Sequence, residues 1–151
     1  MTIDPNLMEV HSCLVEDYAP LIDYRTWRVA SICPSEHNRA ENVRLAERHN
    51  ETDEVFITMR GHALLFVSEG QEGLTVLHTI DMAPLTAYNV KRGVWHTCVL
   101  GRDSVVLIVE NCDTSRENSA YIDLPPEMRQ QILMASESGA LEAAECREAR
   151  R

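Results

Sequence analysis

A chain of 151 residues, 44% hydrophobic and 25% charged, is long enough to bury a substantial core and too apolar to remain disordered. Its formal charge of −10 sets up a field that repels phosphate backbones and argues against nucleic acid as a partner. No apolar run approaches the roughly 18 residues that cross a bilayer, and Met1 to Val10 lacks the basic start and apolar stretch of a signal peptide. The expectation is one domain over 1–151, cytoplasmic, with no membrane partner.

In chain order, Asp4 offers a helix cap and Pro5 a first-turn proline, and Leu7, Val10 and Leu14 recur at helical spacing, which predicts a short N-terminal helix. From Tyr24 onward the pattern changes to short apolar or alternating runs. They cover 27–33, 43–49, 54–59, 63–68, 74–82, 86–90, 94–100, 104–110 and, more weakly, 119–124. Turn-forming clusters such as Arg60-Gly61, Glu69-Gly70 and Lys91-Arg92-Gly93 separate them. Strands this short and regular predict an all-β sandwich or barrel with a core over about 24–124.

Pro125-Pro126 then opens a stretch of Glu, Ala, Arg, Gln, Met and Leu, which predicts a C-terminal α-helix over about 126–150, broken near Ser138-Gly139. The segment from Cys146 to Arg151 reads as solvated or frayed. The five cysteines, at 13, 33, 98, 112 and 146, are odd in number and never spaced as Cys-x-x-Cys. They read as reduced thiols, in keeping with the cytoplasm.

Alternation along 43–49 puts Glu47 and His49 on one face of a strand, with Arg44 and Arg48 on the other. A hairpin at 50–53 would set Glu54 opposite His49 at roughly 5 Å between β-carbons. His96 points inward with Val94 and Cys98. Two imidazoles with one or two carboxylates suit a divalent Zn, Mn, Fe, Ni or Co ion, with positions left for water or substrate. Two buried carboxylates repel each other, and a cation relieves that; without it, a carboxyl must hold a proton or the imidazoles must be charged.

The order Glu47-Arg48-His49-(x4)-Glu54-(x6)-Gly61, followed by Gly93-Val94-Trp95-His96, resembles the two motifs of the cupin superfamily. It departs from them in having Glu47 at the first histidine position, Lys91 in place of a proline and Leu100 in place of an asparagine. The resemblance implies a cupin jelly-roll barrel, with His49, Glu54 and His96 as metal ligands and Glu47 as a ligand by position. Glu-Arg-His ahead of the turn and Arg-Gly-Val-Trp-His after it are similar to the ureidoglycolate lyase branch. That branch implies a lyase acting on a small 2-hydroxy acid bearing a urea group, although one fold hosts many chemistries.

The expected activity is therefore that of a metal-dependent lyase or isomerase acting on a small carboxylate-bearing metabolite. Glu47 is the candidate general base. Tyr88 reads either as a substrate-binding hydroxyl reaching the cavity or as a packed aromatic. Trp95 reads as outer packing or an interface residue, Arg44 and Arg48 as solvated or interface charges, and Cys98 as a small buried hydrophobe. The other class that the residues permit is a non-catalytic barrel that binds a small ligand or serves a structural or sensor role. A homodimer is implied by the resemblance.

Overall fold

The computed structural model describes residues 3–148, with side chains as far as residue 138. The strands are β1 (Tyr18–Tyr24), β2 (Trp27–Ile32), β3 (Leu45–His49), β4 (Glu54–Arg60), β5 (Ala63–Ser68), β6 (Leu77–Asp81), β7 (Ala87–Val90), β8 (Trp95–Leu100), β9 (Val105–Asn111) and β10 (Ser119–Asp123), followed by the helix α1 (Pro126–Glu148). They form two antiparallel five-stranded sheets, in the orders β1-β2-β9-β4-β7 and β10-β3-β8-β5-β6. Most consecutive strands swap sheets, so the chain closes a jelly roll around one interior.

Each of the nine expected runs contains a strand. The tenth, β1, lies ahead of the expected start at Tyr24. Pro20 and Asp23 disguise it, and a proline-bearing strand is tolerated where it falls, at a sheet edge beside β2.

Three further expectations are corrected. The N-terminal helix is a single turn, with Leu7 N–H donating to Asp4 O at 2.8 Å. Leu7 and Val10 stay about 80% exposed, so none of the described residues buries the apolar stripe to offset nucleation. Helix α1 continues through Ser138-Gly139 to Glu148, its serine hydroxyls turned back onto carbonyls one turn earlier, Ser136 Oγ to Ile132 O and Ser138 Oγ to Met134 O. Residues 149–151 lie outside the described residues. The segment 50–53 is not a hairpin turn, because β3 and β4 belong to different sheets; it crosses from one wall of the barrel to the other.

Apolar packing has two layers. Inside the barrel, Ala30, Phe56, Leu65, Met82, Val106 and Ile108 form one cluster. On the outer face of the second sheet, Leu64, Phe66, Trp95 and Val99 meet Met128 and Ile132 of α1. Trp95, 4% exposed, is thus the outer packing residue that its alternation with His96 predicts. Gln131 Nε2 donates to Leu77 O at 2.8 Å, which covers part of the β6 edge.

Candidate metal centre

The barrel brings three strands together at one depth. His49 ends β3, Glu54 opens β4, and His96 on β8 is the cross-strand partner of Glu47 on β3. The crossover between His49 and Glu54 is pinned by Asp53, whose carboxylate bonds Lys91 Nζ, the Arg92 N–H at 2.8 Å and Asn89 Nδ2 at 3.0 Å. Those donors, the Lys91 ammonium first, lower the Asp53 pKa to about 2. Gly93 N–H adds a bond to His49 O at 2.8 Å. The loop entering β8 is thereby tied to the end of β3, which aims both imidazoles at one point.

That point is a single oxygen, Glu54 Oε2, which lies 3.0 Å from His49 Nε2 and 2.7 Å from His96 Nε2. All three residues are buried. The far nitrogens are also engaged: His49 Nδ1 is 2.8 Å from Ser119 Oγ, and His96 Nδ1 is 2.9 Å from the Val94 carbonyl. A carbonyl only accepts, so His96 Nδ1 carries the proton. A neutral His96 then turns its Nε2 lone pair on the Glu54 carboxylate, a contact made favourable by a proton or a cation. Metal-binding histidines are oriented in this way, the second nitrogen donating to a carbonyl or carboxylate.

Charges in the centre are divided unequally. Burial raises the pKa of Glu54, but hydrogen bonds from the two imidazoles and their charges outweigh it and hold the group at about 2. Burial disfavours charge on His49 and His96, yet bonding to Glu54 raises both above the ordinary imidazole value. Glu47 and Glu110 are raised, first by burial and further by the Glu54 charge, against opposing contributions from neighbouring donors and imidazoles. One carboxylate lowered while its neighbours are raised is what like charges sharing a site produce.

The cluster lines a cavity of about 350 Å³ with Tyr18, Arg28, Glu110, Arg116 and Tyr121 at its polar wall and Ile32, Phe56 and Ile108 at its apolar one. Ligand atoms of Glu47, His49 and His96 lie within 4.8 Å of one another, as do those of His49, Glu54 and Glu110. Two imidazoles and several carboxylates are a donor set that fits a divalent ion.

All four residues that the motifs single out converge here. Tyr88 does not: its hydroxyl accepts a 2.9 Å bond from Ala83 N–H, and its ring packs against the barrel core away from this cavity. The substrate-binding role for Tyr88 is corrected accordingly. Arg48 is half-buried, its guanidinium stacked 4.6 Å above the Trp95 ring and bonded to Gln71 O. Burial holds the Cys98 thiol far above the ordinary range, so it remains a neutral, compact side chain. Sequence reading missed Tyr18, Arg28, Glu110 and Tyr121, whose inward direction follows from pairings such as Arg28 with Glu110 and Tyr121 with Glu47.

Together the strand order and the centre define a jelly-roll barrel with a histidine–carboxylate cluster. No family model matches the chain, and no curated protein matches it. Among solved structures, a tyrosine-to-phenylalanine variant of Streptomyces PAC13 with uridine aligns with a TM-score of 0.51 at 7% identity, covering 80% of this chain and 97% of that one. A cupin-2 domain protein from Shewanella frigidimarina NCIMB 400 aligns at 0.47 and 17% identity, over 65% and 84%. KdgF from a Halomonas species aligns at 0.47 and 10% identity, over 66% and 81%. At these identities the likeness is one of fold. The chain has the cupin jelly-roll fold.

Proposed function

We propose that the protein is a metal-dependent enzyme acting on a small, polar, carboxylate-bearing metabolite, a lyase or isomerase, with ureidoglycolate lyase-like chemistry as one member of that class. The observation that carries the reading is the His96 tautomer: with Nδ1 committed to the Val94 carbonyl, Nε2 meets Glu54 Oε2 at 2.7 Å. His49, Glu54 and His96 would hold the ion, with Glu47 beside them. Zn, Mn, Fe, Ni and Co all suit that set. Bound there, a divalent ion supplies Lewis-acid polarisation of a substrate carbonyl or carboxylate.

The remaining work falls to the chain. Glu47 is half-buried on the cavity wall with raised proton affinity, as suits a base that takes a proton from the carbon next to a carboxylate. Tyr121, its cross-strand partner on β10, stands beside it at the cavity wall. Arg116 lines the same cavity and provides guanidinium donors for the substrate carboxylate. Phe56, Ile32 and Ile108 exclude water from the opposite side.

A single domain, a cytoplasmic setting and a homodimer belong to the same proposal. For the dimer, the outer face of the first sheet carries a row of partly buried residues, Val29, Val109 and Val55, beside Leu107 and Ile57. Helix α1 covers the equivalent face of the other sheet. A second copy packed on that row would bury it.

Elemental analysis of untagged protein, with His49→Ala and His96→Ala beside it, tests the centre; equal metal content in all three removes it. Turnover is tested by NMR on a panel of 2-hydroxy and 2-oxo acids in D2O, following product and deuterium uptake at the carbon beside the carboxylate. Stabilisation by many such acids without turnover or exchange would replace the enzyme with a ligand-binding barrel.

A further inference from the structure

We infer that Glu110 on β9 is an additional ligand of the ion proposed above, oriented by Tyr18, and that it tunes the centre toward oxygen-preferring ions such as Mn2+. The inference rests on the metal reading and extends it to a residue that neither sequence motif contains.

Glu110 is 7% exposed, and its carboxylate lies within 4.8 Å of the ligand atoms of His49 and Glu54. Its hydrogen-bond partner is a hydroxyl: Tyr18 Oη donates to Oε1 at 2.7 Å. Arg28 is its cross-strand partner, but the Nε and one terminal nitrogen of that guanidinium are committed to Asp23 at 2.8 and 3.0 Å. A buried acid beside another carboxylate, with one hydroxyl hydrogen bond and the His49 imidazole as its nearby counterweights, is costly unless it stays protonated or a cation arrives.

The two groupings of possible ligands, Glu47 with His49 and His96, and Glu110 with His49 and Glu54, share His49. His49 Nδ1 faces Ser119 Oγ at 2.8 Å, and Nε2 is the nitrogen that faces Glu54. One inward nitrogen serves one ion, so the two groupings are parts of a single shell and not two sites. That shell offers two nitrogens and as many as three carboxylates. Carboxylate-rich sets favour Mn2+ relative to sets built from nitrogen alone. Tyr18 stands behind Glu110 as the outer hydrogen-bond partner that fixes a ligand's direction, a role whose loss weakens metal affinity by about 10–100-fold.

The test uses the full chain, stripped with a chelator and titrated with Mn2+, the unbound ion being read by electron paramagnetic resonance. Zn2+ is titrated separately by calorimetry. Wild type, Glu110→Gln, Tyr18→Phe and His96→Ala are compared, with circular dichroism confirming the fold. Glu110→Gln should weaken Mn2+ binding by about 10–100-fold and Zn2+ binding less, and Tyr18→Phe should weaken Mn2+ binding by about 10-fold. Should Glu110→Gln fail to fold, the partly exposed Tyr18 decides the question through its own variant.

Mn2+ affinity unchanged in Glu110→Gln or Tyr18→Phe, while His96→Ala loses it, would refute the role of Glu110 and leave the centre standing. Equal weakening of the two ions would refute the ion preference. Wild type that binds neither ion would overturn the centre and this inference together.

Discussion

The sharpest perturbation is Glu54→Gln in chelator-treated protein, which keeps shape and removes the charge. In the fold, the Glu54 pKa falls from 4.5 to about 2; at about 1.36 kcal/mol per unit, that difference contributes about 3 kcal/mol of stability. The same coupling appears in the raised values of His49 and His96, so the contributions are one interaction and do not add. The signs bracket the pH window. A lowered carboxylate stabilises above about pH 4.5 and loses the effect as pH falls toward 2. Raised imidazoles stabilise fully below their ordinary value near 6.5 and lose the effect as pH rises through the folded values.

The cost of Glu54→Gln therefore peaks between about pH 4.5 and 6.5, where it should lower the melting temperature by about 6–12 °C, and shrinks by pH 9. Guanidinium denaturation of both proteins at pH 5.5 and pH 9, in excess chelator, reads the difference. Equal stability at pH 5.5, or a gap that widens toward pH 9, would refute the account of the cluster as charged imidazoles gathered on one carboxylate.

Metal affinity should fall as pH drops from 8 to 6, because both imidazoles hold protons more tightly than usual and must release them; calorimetry in buffers of differing ionisation heat will show proton release, and an affinity independent of pH would contradict it. Gly61→Ala should cost about 2–3 kcal/mol, since φ is +81° and a Cβ would lie 2.6 Å from Ser104 Cα; a denaturation midpoint like that of wild type would show that the turn relaxes. Ile132→Ala empties a fully buried position between α1 and the sheet and should cost about 2–4 kcal/mol, read from thermal melts. Sedimentation should find a dimer that Ile57→Lys with Leu107→Lys converts to monomer; a monomeric wild type at micromolar concentration removes the outer-face interface.

Local chemistry makes much of this protein legible in the order of its residues. Period-two alternation separates Glu47 and His49 from Arg48, and His96 from Trp95, because neighbouring side chains in a strand must leave on opposite faces. Motif spacing then singles out His49, Glu54 and His96, and the fold brings all three to one oxygen. Glu110 carries no such mark: it closes the run 104–110 and belongs to neither motif. Only the pairing of β9 between β2 and β4 turns it inward beside Tyr18, which itself sits on the unforeseen strand β1.

What the sequence determines alone is which side chains share a face, where the chain turns and which residue types are available as ligands, all consequences of bonds and sterics within a few residues. Only tertiary structure decides which faces oppose one another. His49 and Glu54 meet from opposite sheets, across the barrel interior and not as neighbours in one hairpin, and Tyr88 is excluded because β7 leaves its hydroxyl with Ala83. Those outcomes depend on pairings between residues distant in sequence, whose energies are set by closure of the whole barrel and leave no trace in any local stretch.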